Sequence, residues 1–435
     1  MKKLRAKPQE FSGEVTAFLS LIFLLLLSIV GAMIQSASIY ITKSMKRADM
    51  ELAIESVFAE YHQELLKQYE IFAIEESNEI AISRRLQFYG AGNLEHEIEK
   101  IELLSDNCGA AFYEQAIRFM GIETVEGELP VDTEMEEEAQ SSWNNLETLL
   151  QEEEKSLAGE ENPIEIVNQL QKLSLLSLIL SEPEMVSDRT IAEEELSSKR
   201  ELQKGVGFKE NFPQGDISHK LLFTTYLNQH FEHYLKDSKE HPLFYETEYL
   251  LAGKTSDREN LKAVANKLLA VRIGINYTYL FTSQERQAEA QAMALGLSSL
   301  LIAPEASEIV KQALLFAWAY GESILDLRNL FAGKKVPIIK TNENWNLQLA
   351  NIPKLLKNEE FEMAPPVEEG ATYQEYLKIL LLMEKEEVLC MRALDLLEVN
   401  LGIRVDECVI GLQIKSTCRM QHNITDVFST QFVYQ

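Results

Sequence analysis

The sequence predicts a mainly α fold with a small antiparallel β-sheet, an α+β class. Three observations support this prediction. An uncharged apolar run opens the chain, apolar residues recur at helical spacing through most of 217–400, and from residue 408 onwards the pattern changes to period two. These patterns predict an N-terminal transmembrane helix that continues into an amphipathic stalk, a helical-bundle ectodomain and a C-terminal β-hairpin.

The first predicted element is a membrane-spanning helix. The 20 residues Val15–Ile34 carry no charge. At about 1.5 Å per residue they cover roughly 30 Å, the thickness of a bilayer's hydrocarbon core. A cleaved signal peptide is the alternative, with Ser36–Ser38 as its cleavage site, but the apolar run is longer than a signal-peptide core. We therefore expect a retained transmembrane helix over 15–41 and a chain that crosses the cell membrane once.

The basic residues around this run predict its orientation. In the tail 1–14, four basic residues stand against two acidic ones. The positive-inside rule therefore predicts a cytoplasmic N-terminus and an extracellular C-terminal domain. Lys43, Lys46 and Arg47 follow the span and reduce this asymmetry.

The region 42–125 is predicted to contain the amphipathic stalk and a small α/β segment. No glycine or proline occurs between Ala32 and Tyr89, and apolar residues recur at helical spacing among acidic ones. One continuous helix can therefore leave the membrane and become amphipathic. The pattern then predicts a strand, a helix ended by Gly90–Gly92, a segment that fits strand or helix, and a helix ended by Gly121. These cover Tyr69–Ile74, Glu76–Phe88, Glu97–Leu104 and Ala110–Met120.

The region 126–215 is predicted to be acidic and partly mobile. Acid runs such as Glu134–Glu138 and Glu152–Glu154 have few apolar residues near them and are typical of solvated segments. Within this region Ile164–Leu180 is a strongly apolar helical segment that also holds polar residues. We interpret it as a helix that docks on the rest of the protein and not as a second membrane span.

The region 216–365 is predicted to be a helical bundle with the largest core of the chain. Four segments have apolar residues at helical spacing: Ile217–Lys236, Asp257–Leu280, Ser283–Leu301 and Pro304–Phe331. Prolines or glycines interrupt the pattern between several of them.

The region 366–435 is predicted to be one helix followed by the hairpin. The helix covers Thr372–Asn400, and Thr372 with Glu375 three residues later forms a capping box. The hairpin has its turn near Met420–His422. The period-two pattern predicts that one face of each strand carries a set of mostly apolar residues. The first set is Cys408, Ile410, Leu412, Ile414, Ser416 and Cys418, and the second is Ile424, Phe428, Phe432 and Tyr434.

An isolated hairpin is marginally stable in water, so this one needs partners. The other candidate strands are Tyr69–Ile74 and Glu97–Leu104. We therefore expect a small sheet beside the stalk that joins these strands to the hairpin, with the helical bundle as a long insertion between them.

The composition excludes a nucleic-acid partner. The 435-residue chain has a net charge of −28, and an acidic surface repels phosphate. A nucleotide site is also not predicted. Ala252–Thr255 is similar to the end of a phosphate-binding loop, but Glu248 occupies the place of the loop's first glycine. We interpret Gly253 as a helix C-cap.

No catalytic, cofactor or metal site is predicted. His230 and His233 lie three residues apart on one helix with His241 nearby, but a zinc site would need a clear third ligand. We interpret them as a polar helical face. The many carboxylates lie mostly in acid runs, where nothing would separate their pKa values. The chain is therefore predicted not to be an enzyme.

The four cysteines are Cys108, Cys390, Cys408 and Cys418. Cys408 and Cys418 lie ten residues apart in one predicted strand, roughly 33 Å, too far for a disulfide between them. Pairing of either with Cys390 or Cys108 and free buried thiols are both open alternatives.

Several stretches of the chain resemble an uncharacterised family of Firmicute membrane proteins of unknown function. They are Gly13–Ile41, Ala53–Tyr61, Tyr69–Phe72, Phe112–Gln115, Glu246–Lys254, Asn260–Lys262, Trp318–Gly333, Val336–Pro337 and Tyr376–Leu382. The first part of the chain is also similar to the Tad-type (TadE/TadG-like) pseudopilins of Flp pilus systems. One departure concerns processing, since a cut after Gly13 would leave Phe18 where such pilins have a glutamate at the fifth mature position. The resemblance therefore implies an accessory subunit and not a major pilin.

Together these inferences predict a membrane-anchored extracytoplasmic structural or accessory subunit of a Tad/Flp-like pilus or secretion apparatus. Its expected partners are the lipid bilayer and other membrane proteins of that machinery. The alternative is an anchored extracellular ligand-binding or adhesin-like module, which would use the helical bundle to hold its ligand.

Overall fold

The computed structural model describes residues 12–76, 78–92, 94–126, 175–206, 211–213, 215–236, 240–300, 307–356, 369–420 and 424–434. Within these ranges the chain forms a helical body with one four-stranded antiparallel sheet and a long N-terminal apolar helix. The predicted α+β fold class is therefore confirmed.

The elements follow one another in an order that separates the sheet strands widely in sequence. The helices are α1 (Ser12–Phe58), α2 (Gln63–Tyr69), α3 (Glu79–Leu86), α4 (Asp106–Glu126), α5 (Leu175–Ile179), α6 (Ile217–His230), α7 (Glu246–Ala252), α8 (Asp257–Thr282), α9 (Gln284–Leu300), α10 (Ser307–Phe331), α11 (Ile352–Leu356), α12 (Tyr373–Met383) and α13 (Glu386–Leu401). The strands are β1 (Ile74–Glu75), β2 (Glu95–Leu103), β3 (Cys408–Arg419) and β4 (Thr425–Val433).

Helix α1 leaves the apolar run without a break, as predicted, and ends at Phe58. It does not continue towards Tyr89, because the chain turns after Phe58 and starts a new helix. The His62 imidazole accepts a hydrogen bond from the Leu65 N–H at 3.1 Å and so caps α2. Helix α2 ends where Glu70 takes a left-handed conformation, so the predicted strand Tyr69–Ile74 shortens to β1.

The sheet is built around β3. Strand β2 pairs along one edge of β3, and β4 and β1 pair along the other. All pairs are antiparallel, with Ile98 opposite Ile414 and Phe428 opposite Ser416. The predicted pairing of the hairpin with the two earlier strands is therefore confirmed. The hairpin turn at 421–423 lies outside the described residues.

The prediction that the alternating residues from Cys408 to Cys418 all lie on one face of β3 is wrong. Leu412, Ile414 and Cys418 pack towards α1 with Val409, whereas Cys408 and Ile410 join the core of the helical body. The cause is a register shift, since Glu102 pairs with Gly411 but Leu103 pairs with Val409, which leaves Ile410 as an extra residue. Such a bulge moves the side chains that follow to the opposite face.

Two hydrophobic clusters organise the molecule. The smaller lies between the C-terminal part of α1, α3 and one face of the sheet, and includes Ile54, Val57 and Ile414. The larger runs through the helical body from α2 and α4 to α13 and includes Trp318 and Leu394. Because β3 contributes side chains to both clusters, the sheet joins α1 to the helical body.

The predicted bundle helices are present as α6, α8, α9 and α10, with ends shifted by several residues. The long helix Thr372–Asn400 is in fact two helices. Its capping box is confirmed, but Glu384 adopts an extended backbone and Lys385 begins a second helix. The Glu384 carboxylate forms an ion pair with Lys267 of α8, which holds this break against the bundle.

Two further boundaries differ from prediction. Gly121 does not end α4, which continues to Glu126, because a glycine weakens a helix by about 1 kcal/mol without stopping it. Of the predicted docking helix Ile164–Leu180, residues before 175 lie outside the described residues, as do both acid runs. The part that is described, α5, packs against α8 and α10 with Leu175 buried.

Candidate functional site: the exposed apolar helix and the adjoining sheet

The N-terminal half of α1 is an apolar surface that nothing else in the described chain covers. Of the described helices, α1 is the one long and apolar enough to cross a membrane. Most of its large side chains are half or more exposed, with Leu19 at 59% and Ile34 at 66%. Exposing such a surface to water is unfavourable by about 25 cal/mol per Å². The surface is therefore suited to lipid or to another protein.

The environment of α1 changes after Lys43, the first charged residue beyond the apolar run. From Met50 onwards one face of the helix is completely buried against the sheet, α3 and residues 87–91, and Ala53, Ile54 and Val57 lie on it. We call residues 42–58 of α1 the stalk. The stalk is thus fixed to the folded body, whereas the apolar half extends away from it.

The hairpin holds the stalk through Asp426 of β4. The Asp426 carboxylate accepts a hydrogen bond from Lys43 Nζ at 2.8 Å and lies 3.6 Å from Arg47 Nη2. The Arg47 guanidinium also lies 5.4 Å from the ring centroid of Phe428. The Asp426 side chain is only 11% exposed, so these ion pairs are partly shielded from solvent. Two of the three basic residues that follow the apolar run therefore have an acidic or aromatic partner on β4.

An aromatic cluster joins the end of α1 to the end of the chain. The rings of Phe58 and Phe432 stack at 4.4 Å, and Tyr434 lies 5.1 Å from Phe58 and 5.4 Å from Phe72. The Tyr434 hydroxyl donates a hydrogen bond to the Phe58 carbonyl. The end of β4 thus meets the end of the stalk. The sequence predicted the strand pairing that brings them together but not this aromatic contact.

The three histidines singled out from the sequence do not converge. His230 Nδ1 lies 2.9 Å from the Tyr226 carbonyl, His233 accepts from the Leu235 N–H, and His241 contacts Glu246 at 2.8 Å. Within the described residues no group of three or more His, Cys, Asp or Glu could hold a metal ion. Burial lowers the pKa of His233 to about 4, which keeps its ring neutral.

The segment Ala252–Thr255 has a structural role. Gly253 is the C-cap of α7, with φ 62°, and its N–H donates to the Tyr249 carbonyl at 2.7 Å. The interpretation as a helix C-cap is confirmed. Glu248 in the same helix is completely buried, and burial raises the pKa of its carboxyl to about 7.

A buried charge network, which the sequence did not predict, lies between α8, α10 and the segment after α10. Lys340 Nζ donates to Glu322 at 2.6 Å and to Asp326 at 2.7 Å, and Arg272 donates to Asp326 at 2.7 Å. Burial raises the pKa of Glu322, whereas Arg272 and Lys340 outweigh burial and lower the pKa of Asp326. Every charge in the network has an opposite partner, so the loss of one partner would leave an uncompensated buried charge.

Buried carboxylates also hold the irregular segment 183–206 on the helical body. Asp395 of α13 accepts hydrogen bonds from the Ser197 and Ser198 hydroxyls at 2.8 and 2.6 Å. Arg200 forms ion pairs with Glu398 at 2.6 Å and Asp406 at 2.8 Å. Some of the chain's many acidic residues are therefore buried and bind partners inside the fold. The periodicity of the sequence does not reveal which acidic residues these are.

The cysteines are free thiols. Cys108 is exposed and Cys390, Cys408 and Cys418 are buried. Burial raises the pKa of the Cys408 thiol above its usual value. Of the alternatives that the sequence left open, the structure has free thiols.

Comparison with known proteins identifies the family. A family of unknown function, DUF5702, matches residues 153–420, which is more than half of the chain, so the chain belongs to this family. The matched range includes α5 to α13 and β3 but not α1 to α4. The comparison with curated proteins gives no match. The comparison with solved structures gives none either.

Proposed function

We propose that this DUF5702 protein is a membrane-anchored, extracytoplasmic structural or accessory subunit of a surface assembly. The observation that supports the proposal is the two-part character of α1. Its apolar half is exposed on all sides, and its stalk is fixed to the sheet without a helix break. A continuous helix of this kind holds the folded body at a fixed place relative to the membrane, which suits a structural subunit.

The type of assembly follows from the resemblance of Gly13–Ile41 to Tad-type pseudopilins. On this basis the assembly is a Tad/Flp-like pilus or secretion apparatus. The protein crosses the cell membrane once, with its N-terminus in the cytoplasm and the sheet and helical body outside. The four basic residues of the tail 1–14 support this orientation.

The topology can be tested with the chain's own exposed thiol. We expect a membrane-impermeant maleimide to label Cys108 in intact cells and the labelled protein to stay in the membrane after an alkaline carbonate wash. The variant Cys108→Ser should lose the label. In that background, Lys3→Cys should be labelled only after lysis, because it lies in the predicted cytoplasmic tail. Labelling of Cys108 only after lysis would contradict the proposed orientation.

The assembly role requires a second experiment. Purification of the full-length protein from membranes in a mild detergent should bring down a secretion ATPase and its membrane platform proteins. A matched protein with Leu24→Arg and Leu27→Arg in the apolar half should lose both the membrane fraction and these partners. If the intact protein is anchored but purifies without machinery components, the structural-subunit proposal is wrong.

A further inference from the structure

The stalk is apolar on two opposite faces, and only one of them is covered. The covered face packs on the sheet through Met50, Ala53, Ile54 and Val57. On the other side Met45 is 61% exposed and Leu52 is 62% exposed. A helix that needed only to rest on its own sheet would have polar residues at these positions.

The uncovered residues of the stalk continue a regular seam that begins in the apolar half of α1, and we call the whole series the outer seam. Its members are Gly31, Ile34, Ser38, Ile41, Met45, Ala48 and Leu52, all of them exposed. The intervals alternate between three and four residues, which is the a/d pattern of a coiled coil. The next position in the series is Glu55, so the seam ends where a charged residue would enter the core of such a pair.

Lipid alone does not account for the whole seam. Even if the membrane span reaches Ile41, Leu52 lies 11 residues further along a continuous helix, about 16 Å. The headgroup layer on each side of a bilayer is only about 5–8 Å thick. Met45 and Leu52 therefore face water or a protein, and burial against a protein is the favourable state.

We propose that the outer seam binds the outer seam of a second copy of this chain, in a parallel, left-handed helix pair that starts in the membrane and continues along the stalk. Its core positions hold apolar or small residues without a charge. Each of these residues can therefore pack against the same residue of the second copy. Gly31 and Ser38 allow close approach of the two helices near the membrane. A common membrane orientation makes the pair parallel.

The residues that flank the seam are compatible with a second copy of this chain as the partner. In a parallel pair Ser44 lies across from Asp49 of the second copy, and Glu51 lies across from Ser56 of the second copy. No like charges oppose each other at these flanking positions. The face that contacts the sheet lies on the opposite side of the helix, so pairing does not compete with the fold of either copy.

The proposal can be tested by cysteine cross-linking of the full-length protein in native membranes. In a Cys108→Ser background, the variants Met45→Cys and Leu52→Cys place thiols in the seam. Tyr40→Cys is the matched control, because Tyr40 is 74% exposed on the opposite side of the helix. Copper phenanthroline with oxygen accepts the two electrons and two protons released when two thiols form a disulfide. Non-reducing electrophoresis then detects a species of twice the 49.6 kDa chain mass.

We expect the seam cysteines to give at least about fivefold more dimer than Tyr40→Cys, because pairing raises their effective concentration. Met45→Glu added to Leu52→Cys should abolish the dimer, since it places like charges in the core. Equal cross-linking at Tyr40→Cys, or adducts to other proteins in place of the dimer, would overturn the proposal.

This inference rests on the proposed membrane anchoring of α1. Extraction of the protein by carbonate would remove the anchoring and the inference together. A chain that stays in the membrane but gives no seam dimer would overturn the inference and leave the anchoring intact.

Discussion

At the scale of single residues, Lys340 has a completely buried side chain that forms ion pairs with two buried carboxylates. The variant Lys340→Met would leave Glu322 without a cation, while Asp326 would keep Arg272. An uncompensated buried charge costs about 3–5 kcal/mol, so we expect a loss of this size in the free energy of unfolding. Denaturant titration of the full-length protein in detergent, followed by tryptophan fluorescence, measures it.

Two control variants test whether the loss of stability comes from the unpaired charge. Lys340→Met combined with Glu322→Gln removes both charges of the pair and should recover more than half of the lost stability. Lys335→Met changes an exposed lysine nearby and should alter stability by less than about 0.5 kcal/mol. If the double variant is as unstable as the single one, the Lys340 effect comes from packing and not from the unpaired carboxylate.

A second prediction at this scale concerns pH. Burial raises the pKa of Glu248 from 4.5 to about 7, although Tyr373 and the Tyr234 N–H donate hydrogen bonds to it. Below pH 4.5 the carboxyl is protonated in both the folded and the unfolded chain. Between pH 4.5 and about 7 only the unfolded chain ionises, so the contribution of this group to stability falls as pH rises and is fully lost above about 7.

The variant Glu248→Gln should remove this dependence. Relative to wild type, its free energy of unfolding should rise by about 3 kcal/mol between pH 4 and pH 8. Glu194→Gln, at an exposed position, should follow the wild-type pH profile. A constant difference between Glu248→Gln and wild type across this range would show that folding does not raise the pKa of the Glu248 carboxyl.

At the scale of elements, the sequence predicted those features that depend on neighbours along the chain. The Thr372–Glu375 capping box and the alternation of β4 both follow from spacing of a few residues, and both are present. The break at Glu384 gives no such signal, because neither glycine nor proline marks it. Its position depends on a lysine of α8 that is 117 residues away.

The same distinction applies to the candidate site. The apolar half of α1 is evident from composition, whereas the contact of Asp426 with Lys43 joins residues 383 positions apart. The bulge at Ile410 was missed for a related reason, since a period-two pattern does not reveal where a partner strand skips a residue. Local pattern thus predicts the elements, and tertiary contacts decide where they bend and which face they bury.

An element-scale prediction concerns the short pairing between Val336 and Ala371, which holds the segment after α10 against the start of α12. Gly370 precedes it with φ 148°, and a Cβ there would lie 2.6 Å from the Val336 carbonyl carbon. Gly370→Ala should therefore lower the free energy of unfolding by about 2–4 kcal/mol.

Gly296→Ala provides the matched control for that substitution. Gly296 lies inside α9 and a Cβ there meets nothing within 4 Å, so alanine should be neutral or stabilise by up to about 1 kcal/mol. Denaturant titration of both variants measures the difference. Equal stability of the two would mean that the backbone near Val336 yields easily and that the pairing contributes little.

At the scale of the whole molecule, the sheet closes the fold by joining distant parts of the chain. Strand β3 lies more than 300 residues after β2 in sequence, and it packs against both α1 and the helical body. A long-range pairing of this kind forms slowly, because the entropy of closing a long loop opposes it. The stalk therefore acquires its sheet contacts only after the C-terminal strands are available.

This topology predicts a local response to loss of β4. A chain that ends at Met420 lacks Asp426 and the ring of Phe432 on Phe58, so the stalk and β3 lose one side of their packing. Helices α8 and α10 keep their own core, because their contacts lie in the other hydrophobic cluster. Compared with the full-length chain, hydrogen exchange of the truncated chain in detergent should therefore increase in residues 43–58 and 408–419 and stay unchanged in α8 and α10.

The control for this truncation is Val427→Thr, which alters an exposed position of β4 and keeps the strand. Its exchange should match wild type throughout. If the truncated chain instead loses protection in α8 and α10 to the same extent as in the stalk, the sheet and the helical body unfold as one cooperative unit. The stalk would then report the stability of the whole folded body, and α1 could not detach from the sheet without unfolding the protein.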